Sequence, residues 1–194
     1  MATPDTDAAP SARGGSPLPP GFGLFRETGI DDPAFRFALP LGTDWTCVGE
    51  PGRAPTQPGT ASPLAIYSSG GEPRVEVTVS GWLLKRDVAP ARFLEIVVEG
   101  AAEEILEKRE SDAPGGNVLD VLSRQQVEGG RLAIRRTAIK DGARLLVLRV
   151  MAREADYAGI VGNVSAIVEG FRFLEPKGWH CAESLSTFSL GQPS

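Results

Sequence analysis

The sequence predicts an α+β protein: an antiparallel sheet covered by two amphipathic helices, flanked by an N-terminal extension and a C-terminal tail. Three observations carry this reading. Residues 117–151 hold three apolar runs separated by Gly129-Gly130 and Asp141-Gly142, and such pairs supply the left-handed backbone that tight hairpins require. Val75, Val77 and Val79 alternate with Glu76, Thr78 and Ser80, the period of a half-buried strand. Two further segments step by three and four residues, the period of a helix with one buried face.

Taken in order, residues 1–22 are mostly Ala, Pro, Ser, Gly and Asp, with almost no bulky side chain before Leu18. Such a stretch cannot bury enough to offset its ordering entropy, so a disordered tail is expected. The domain proper spans 23–175. Ala34 to Leu39 reads as a short strand with Phe35, Phe37 and Leu39 on one parity, ended by Pro40, with Trp45 close behind. Residues 49–63 are rich in proline and glycine, an exposed loop. Leu64 to Tyr67 forms a second short strand, and Ser68-Ser69-Gly70-Gly71 turns the chain into the valine strand.

Asp87 is positioned to cap a helix, with Pro90 tolerated in its first turn. Phe93, Leu94, Val97, Val98, Ala101 and Ile105 form its apolar stripe. Glu103, Glu104, Glu107 and Glu110 then read as the solvated end of that helix, and Pro114-Gly115-Gly116 leads into the meander. In the strand Leu132 to Ile139, Leu132, Ile134 and Ala138 share one parity, which Arg136 interrupts. From Ala143 to Met151 the apolar run is almost unbroken, as in a strand buried on both faces. This strand is therefore placed at the centre of the sheet.

The second helix starts at Asp156 as N-cap, carries Tyr157, Ile160, Val161, Val164, Ile167, Val168 and Phe171 on one face, and ends at Gly170. Gly159 and Gly162 each weaken it by roughly 1 kcal/mol relative to alanine. Close approach to the sheet is one reason for them; tolerated defects are the other. The tail 176–194 offers Trp179, Phe188 and Leu190 as docking residues.

Composition narrows the function. With 41% hydrophobic and 23% charged residues, the 194-residue chain is an ordinary globular protein. No stretch approaches the roughly 18 apolar residues of a membrane span. A net charge of −5 and a pI of 5.0 argue against nucleic acid, which demands a basic field. The N-terminus lacks the basic and apolar regions of a cleaved signal. Cys47 and Cys181 are too few for a disulfide framework. The expected location is the cytoplasm, with both cysteines reduced.

No catalytic constellation is visible. The single histidine, His180, sits beside Cys181, but adjacency in sequence does not supply the aligned hydrogen bond a nucleophile needs. There is no Gly-x-Ser-x-Gly elbow, no phosphate loop, and no zinc-ligand spacing. Catalytic, cofactor and metal sites are therefore all expected to be absent. Arginines do concentrate on the meander. Arg131 and Arg135 share a face of one strand, and Arg149 and Arg153 share a face of the next. Two readings stand: a solvated or internally paired sheet face, or a patch for an acidic segment of another protein. The candidate partner-binding residues are Arg131, Arg135, Arg149, Trp179, Phe188 and Leu190. The apolar excess of the central strand also has two explanations. The helices lie on opposite faces, the favoured one, or one face stays open for a partner or a second copy.

The element order resembles the PsbP-like superfamily. The points of likeness are Phe35-Arg36-Phe37-Ala38-Leu39-Pro40 followed by Trp45, the strand Val75–Val79, the helix Ala91–Leu106, the meander, and a last helix closing on Phe171-Arg172-Phe173. That superfamily includes the photosystem II extrinsic protein, a eukaryotic Ran-binding import factor, DcrB-type proteins and adaptor chaperones of type VI secretion effectors. The resemblance implies an α/β/α sandwich around a twisted antiparallel sheet, without catalysis. It further implies a protein-binding module: an adaptor or chaperone sheltering apolar segments in a secretion-type assembly, often as a homodimer. The alternative is an accessory subunit of a larger photosynthetic or membrane-associated complex that uses its tails as clamps.

Overall fold

A computed structural model describes residues 17–86, 88–100, 102–113 and 116–174. Its centre is a seven-stranded sheet assembled from β3 (Thr46–Cys47), β4 (Thr60–Ser68), β5 (Glu76–Leu83), β6 (Glu104–Ala113), β7 (Gly116–Val127), β8 (Gly130–Asp141) and β9 (Arg144–Arg153). The spatial order is β3-β4-β5-β9-β8-β7-β6 and every pairing is antiparallel. Three more strands, β1 (Phe22–Glu27), β2 (Phe37–Gly42) and β10 (Arg172–Phe173), make a second sheet with β2 in the middle.

The meander forms as its turn residues require. Val127 pairs with Gly130 and Asp141 with Arg144. Gly129, Gly130 and Gly142 all have positive φ (88°, 144° and 63°), where a side chain would be strained. β9 is the fourth of the seven strands and is buried on both faces, as its unbroken apolar run predicts. Leu146, Leu148 and Val150 join one hydrophobic cluster, and Leu145 and Val147 join another.

The two helices cover opposite faces. α1 (Pro90–Gly100) packs on β6, β7 and β8, where Leu94 and Val98 meet Leu119, Val121, Ala138, Leu145 and Val147. α2 (Glu154–Gly170) packs on β2, β8 and β9. On that side Ile160, Val164, Ile167 and Val168 bury against Phe37, Leu39, Leu148 and their neighbours in the larger cluster. Each such aliphatic side chain, fully buried, contributes roughly 1.5–3 kcal/mol. At the joint between the two sheets, Tyr67 donates its hydroxyl to Glu27 Oε2 (3.0 Å) while Gly29 N–H donates to Oε1 (2.8 Å). Burial, and then the Glu27 charge, push the Tyr67 hydroxyl well above its ordinary range.

Several expectations need correction. Residues Pro33–Phe35 form a 3-10 turn capped by the Asp32 carboxylate, and the strand runs instead from Phe37 through Pro40 to Gly42. Beyond Ala38, β2 has a neighbour on one side only, and proline is tolerated at such an edge. β4 starts four residues before Leu64, its Pro63 sitting at a bulge. The first helix is shorter than its stripe suggests. It ends at Gly100, and Ala102 takes a left-handed φ of 52° that turns the chain. Ile105, expected on the helix, is instead 44% exposed on β6, while Asp87 and Ala101 lie outside the described residues. α2 begins two residues before Asp156, with Glu154 and Asp156 both in its first turn, where acids complement the helix dipole. Nothing would crowd a side chain at Gly159 or Gly162, so close approach does not explain them; a Cβ on Gly170, by contrast, would collide with the ring of Pro40.

Candidate functional site

Strand register alone assembles a charged row across the large sheet. Lys108, Val121, Arg136, Arg149, Thr78 and Ile66 are successive partners on β6, β7, β8, β9, β5 and β4. Antiparallel partners share a face, so Arg136 and Arg149 stand side by side on the face that α1 covers. α1 lies mainly over the β6-β7-β8 half of that face. It touches β9 and β5 only at its margin, where its cluster takes in Leu145 and Val147 and Phe93 meets Trp82. Where it stops, an open cleft of about 320 Å³ remains, lined by Thr78, Ser80, Trp82, Phe93, Val97, Glu103, Gln125, Arg136, Val147 and Arg149.

One half of the cleft is apolar. Trp82 meets Phe93 edge to face at 4.4 Å between ring centroids, a favoured aromatic geometry. The other half is ionic. The left-handed turn at Ala102 delivers Glu103 onto Arg136, and the two form a paired fork in which Nη2 donates to Oε1 (2.5 Å) and Nη1 to Oε2. The Ser123 hydroxyl donates to the same Oε2 (2.5 Å) and accepts from Arg136 Nη1 at 3.2 Å. Glu103 and Arg136 side chains are 0% and 4% exposed. Burial alone would raise the Glu103 pKa. Hydrogen bonds from Arg136 and Ser123, with the charges of Arg136 and Arg149, outweigh it and hold the carboxyl below its usual range.

Arg149 is left over. Its Nε is buried and has no hydrogen-bond partner. Burial, followed by the neighbouring charge of Arg136, lowers its pKa, against opposing pulls from Glu103 and Glu76. The site therefore offers a held cation with an unused donor beside an apolar wall. The one hydroxyl on a carboxylate there, Ser123 on Glu103, faces an acid that Arg136 engages through both oxygens and whose lowered pKa makes it a weak base. Among the described residues no group of three His, Cys, Asp or Glu side chains could hold a metal.

The sequence-derived candidates do not converge. Arg131 and Arg135 lie on the opposite face from Arg149, since Arg135 pairs in register with Val150. Arg135 donates to both Asp120 oxygens (Nε 3.0 Å to each, Nη2 2.6 Å) and to Ser165 on α2 (3.0 Å). Arg131 is exposed, 3.8 Å from Glu154. Trp179, Phe188 and Leu190, with His180 and Cys181, lie outside the described residues. Glu103, Ser123 and Arg136 were missed as site residues. The available signal was Arg136 itself: a cation breaking an apolar parity row in a buried strand must have a partner.

No protein-family model matches the sequence, and no curated protein matches it either. Solved structures do. Cyanobacterial PsbP (CyanoP) from Synechocystis sp. PCC 6803 is 11% identical, covering 89% of this chain and 98% of that one with a TM-score of 0.59. PA94 of Pseudomonas aeruginosa, a protein of unknown function, is 15% identical, covering 74% and 91% with a TM-score of 0.47. LpqN of Mycobacterium tuberculosis, involved in cell envelope biogenesis, is 14% identical, covering 77% and 90% with a TM-score of 0.47. With its two helices on opposite faces of an antiparallel sheet and near-complete coverage of CyanoP, this chain has the PsbP-like fold.

Proposed function

We propose that the protein is a non-catalytic partner-binding module, an adaptor or chaperone that holds a segment of another protein in the cleft beside α1. The observation that carries this is the half-covered sheet face, where Trp82, Phe93, Val97 and Val147 line an opening floored by Arg149. An apolar wall with a few placed polar groups is the usual anatomy of a recognition site. A cytoplasmic secretion-type assembly is the setting this reading favours, with a homodimer as a further expectation. Among the described residues no helix is long and apolar enough to cross a membrane.

A second reading has its own support in the likeness to CyanoP. It makes the chain an accessory subunit of a larger complex, clamped through Trp179, Phe188 and Leu190. Affinity purification of the tagged full chain from its own cells, followed by mass spectrometry, separates the two. The cleft reading predicts a partner that Phe93→Glu loses and truncation after Glu175 retains. The reverse pattern supports the clamp, and a partner list unchanged by Phe93→Glu refutes the cleft.

A further inference from the structure

We infer that the cleft is a carboxylate site: it takes an acidic side chain of the partner segment at Arg149, with a flanking apolar side chain on Trp82, Phe93, Val97 and Val147. This rests on the partner-binding reading above and names the chemistry that reading leaves open. Three features of the site support it. The cleft-lining residues carry two cations and one carboxylate, and that carboxylate is consumed, since both Glu103 oxygens are engaged by Arg136 and Ser123. Arg149 is thus the cation in the cleft that no carboxylate hydrogen-bonds: Glu103, engaged by Arg136, and Glu76, outside the lining, act on it only through their charge. Its Nε is closed off without a partner, which is costly, and Nε alone of its nitrogens is so enclosed, so a carboxylate in the cleft meets the terminal end of the guanidinium. Thr78 and Ser80, half-buried on β5, flank the position with hydroxyls that serve a second carboxylate oxygen.

The volume agrees. A cavity of about 150 Å³ accommodates benzene, and about 320 Å³ has room for a carboxylate and one aromatic or branched apolar group together. A phosphate is the poorer match, because a dianion calls for more cationic partners than one guanidinium.

The test is isothermal titration of the full chain with the acetylated, amidated tripeptides Leu-Glu-Phe and Leu-Gln-Phe, and with 3-phenylpropionate. The glutamate peptide is expected to bind roughly ten- to a hundredfold more tightly than the glutamine peptide, the range for one charge-assisted hydrogen bond. Arg149→Met is expected to abolish that preference without lowering the unfolding midpoint, because it removes an unmet donor and a cation beside Arg136. Arg149→Lys keeps the charge and recovers part of the preference, and Arg109→Gln, at an exposed side chain of β6 outside the cleft, leaves it intact. Equal binding of the two peptides, or a preference that survives Arg149→Met, overturns the carboxylate site. Binding of 3-phenylpropionate without the glutamate peptide overturns a protein segment as the occupant. If the partner lost by Phe93→Glu is retained by Arg149→Met, partner binding stands and the carboxylate assignment alone falls.

Discussion

Replacing Glu103 by glutamine strands the Arg136 guanidinium, and the size of the effect follows from where the pair sits. An exposed ion pair contributes at most about 1 kcal/mol, whereas breaking a buried one by removing a partner costs about 3–5 kcal/mol. At 0% and 4% side-chain exposure, this pair belongs with the second class. Glutamine keeps the shape and one neutral hydrogen bond, itself about 1 kcal/mol, so the net loss expected for Glu103→Gln is about 2–4 kcal/mol. The register partner of Arg136 is Arg149, and the two guanidinium groups then face each other with no carboxylate between them. Adding Arg149→Met should recover part of the loss, a coupling that a double-mutant cycle reads directly. The assay is urea unfolding, in which the midpoint should fall with an unchanged slope. A chain of this size should lose about 5–15 °C in Tm. A loss below about 1 kcal/mol would show that the pair behaves as a solvated one, and the account of the ionic cluster would be wrong.

Acid should act through the same carboxyl. Because the folded state holds the Glu103 pKa below its ordinary 4.5, its contribution is whole above that pH and is lost as pH falls through the lower folded value. The double variant Glu103→Leu/Arg136→Met should retain near-normal stability at neutral pH and lose less on acidification, as monitored by unfolding midpoints between pH 7 and pH 3. Gly159→Ala and Gly162→Ala should each raise stability by about 1 kcal/mol, since open space surrounds both positions; a loss in either would mean that α2 packs more tightly there. Tyr67→Phe removes the donor to the buried Glu27 Oε2 and should cost about 1–3 kcal/mol in the same denaturation assay.

Much of the fold was legible because local chemistry and global pairing agree along the meander. Gly129-Gly130 and Asp141-Gly142 demand turns, and the runs between them have strand length and strand period. α2 was legible for the same reason, its apolar steps running from Tyr157 to Phe171, except that Val161, which the spacing places on the buried face, is 44% exposed. β6 was not. Glu104-Ile105-Leu106-Glu107-Lys108-Arg109-Glu110 has the composition of a solvated helix, and only its pairing with β7 makes it a strand. Its charges suit an outer strand, since they discourage edge-to-edge association. The ionic cluster was hidden by the same misreading. Glu103 looked like helix surface, and although Gly100 marks the end of α1, the left-handed residue that swings Glu103 onto Arg136 is Ala102, an alanine that announces no turn. Tertiary pairing decided both, and pairing leaves no short-range trace.

The middle strand of the smaller sheet has neighbours from distant parts of the chain. β1 lies just ahead of it, but β10 reaches Ala38 only from Arg172. At ordinary translation rates, on the order of ten seconds separates emergence of these two segments from the ribosome. Throughout that interval Phe37 and Leu39 have neither Phe171 nor α2 to cover them. The nascent chain therefore carries an adhesive patch for most of its synthesis, and its protection arrives only with the residues around 171–173. Substitutions there should lower the yield of soluble protein more than their effect on the finished molecule's stability would suggest.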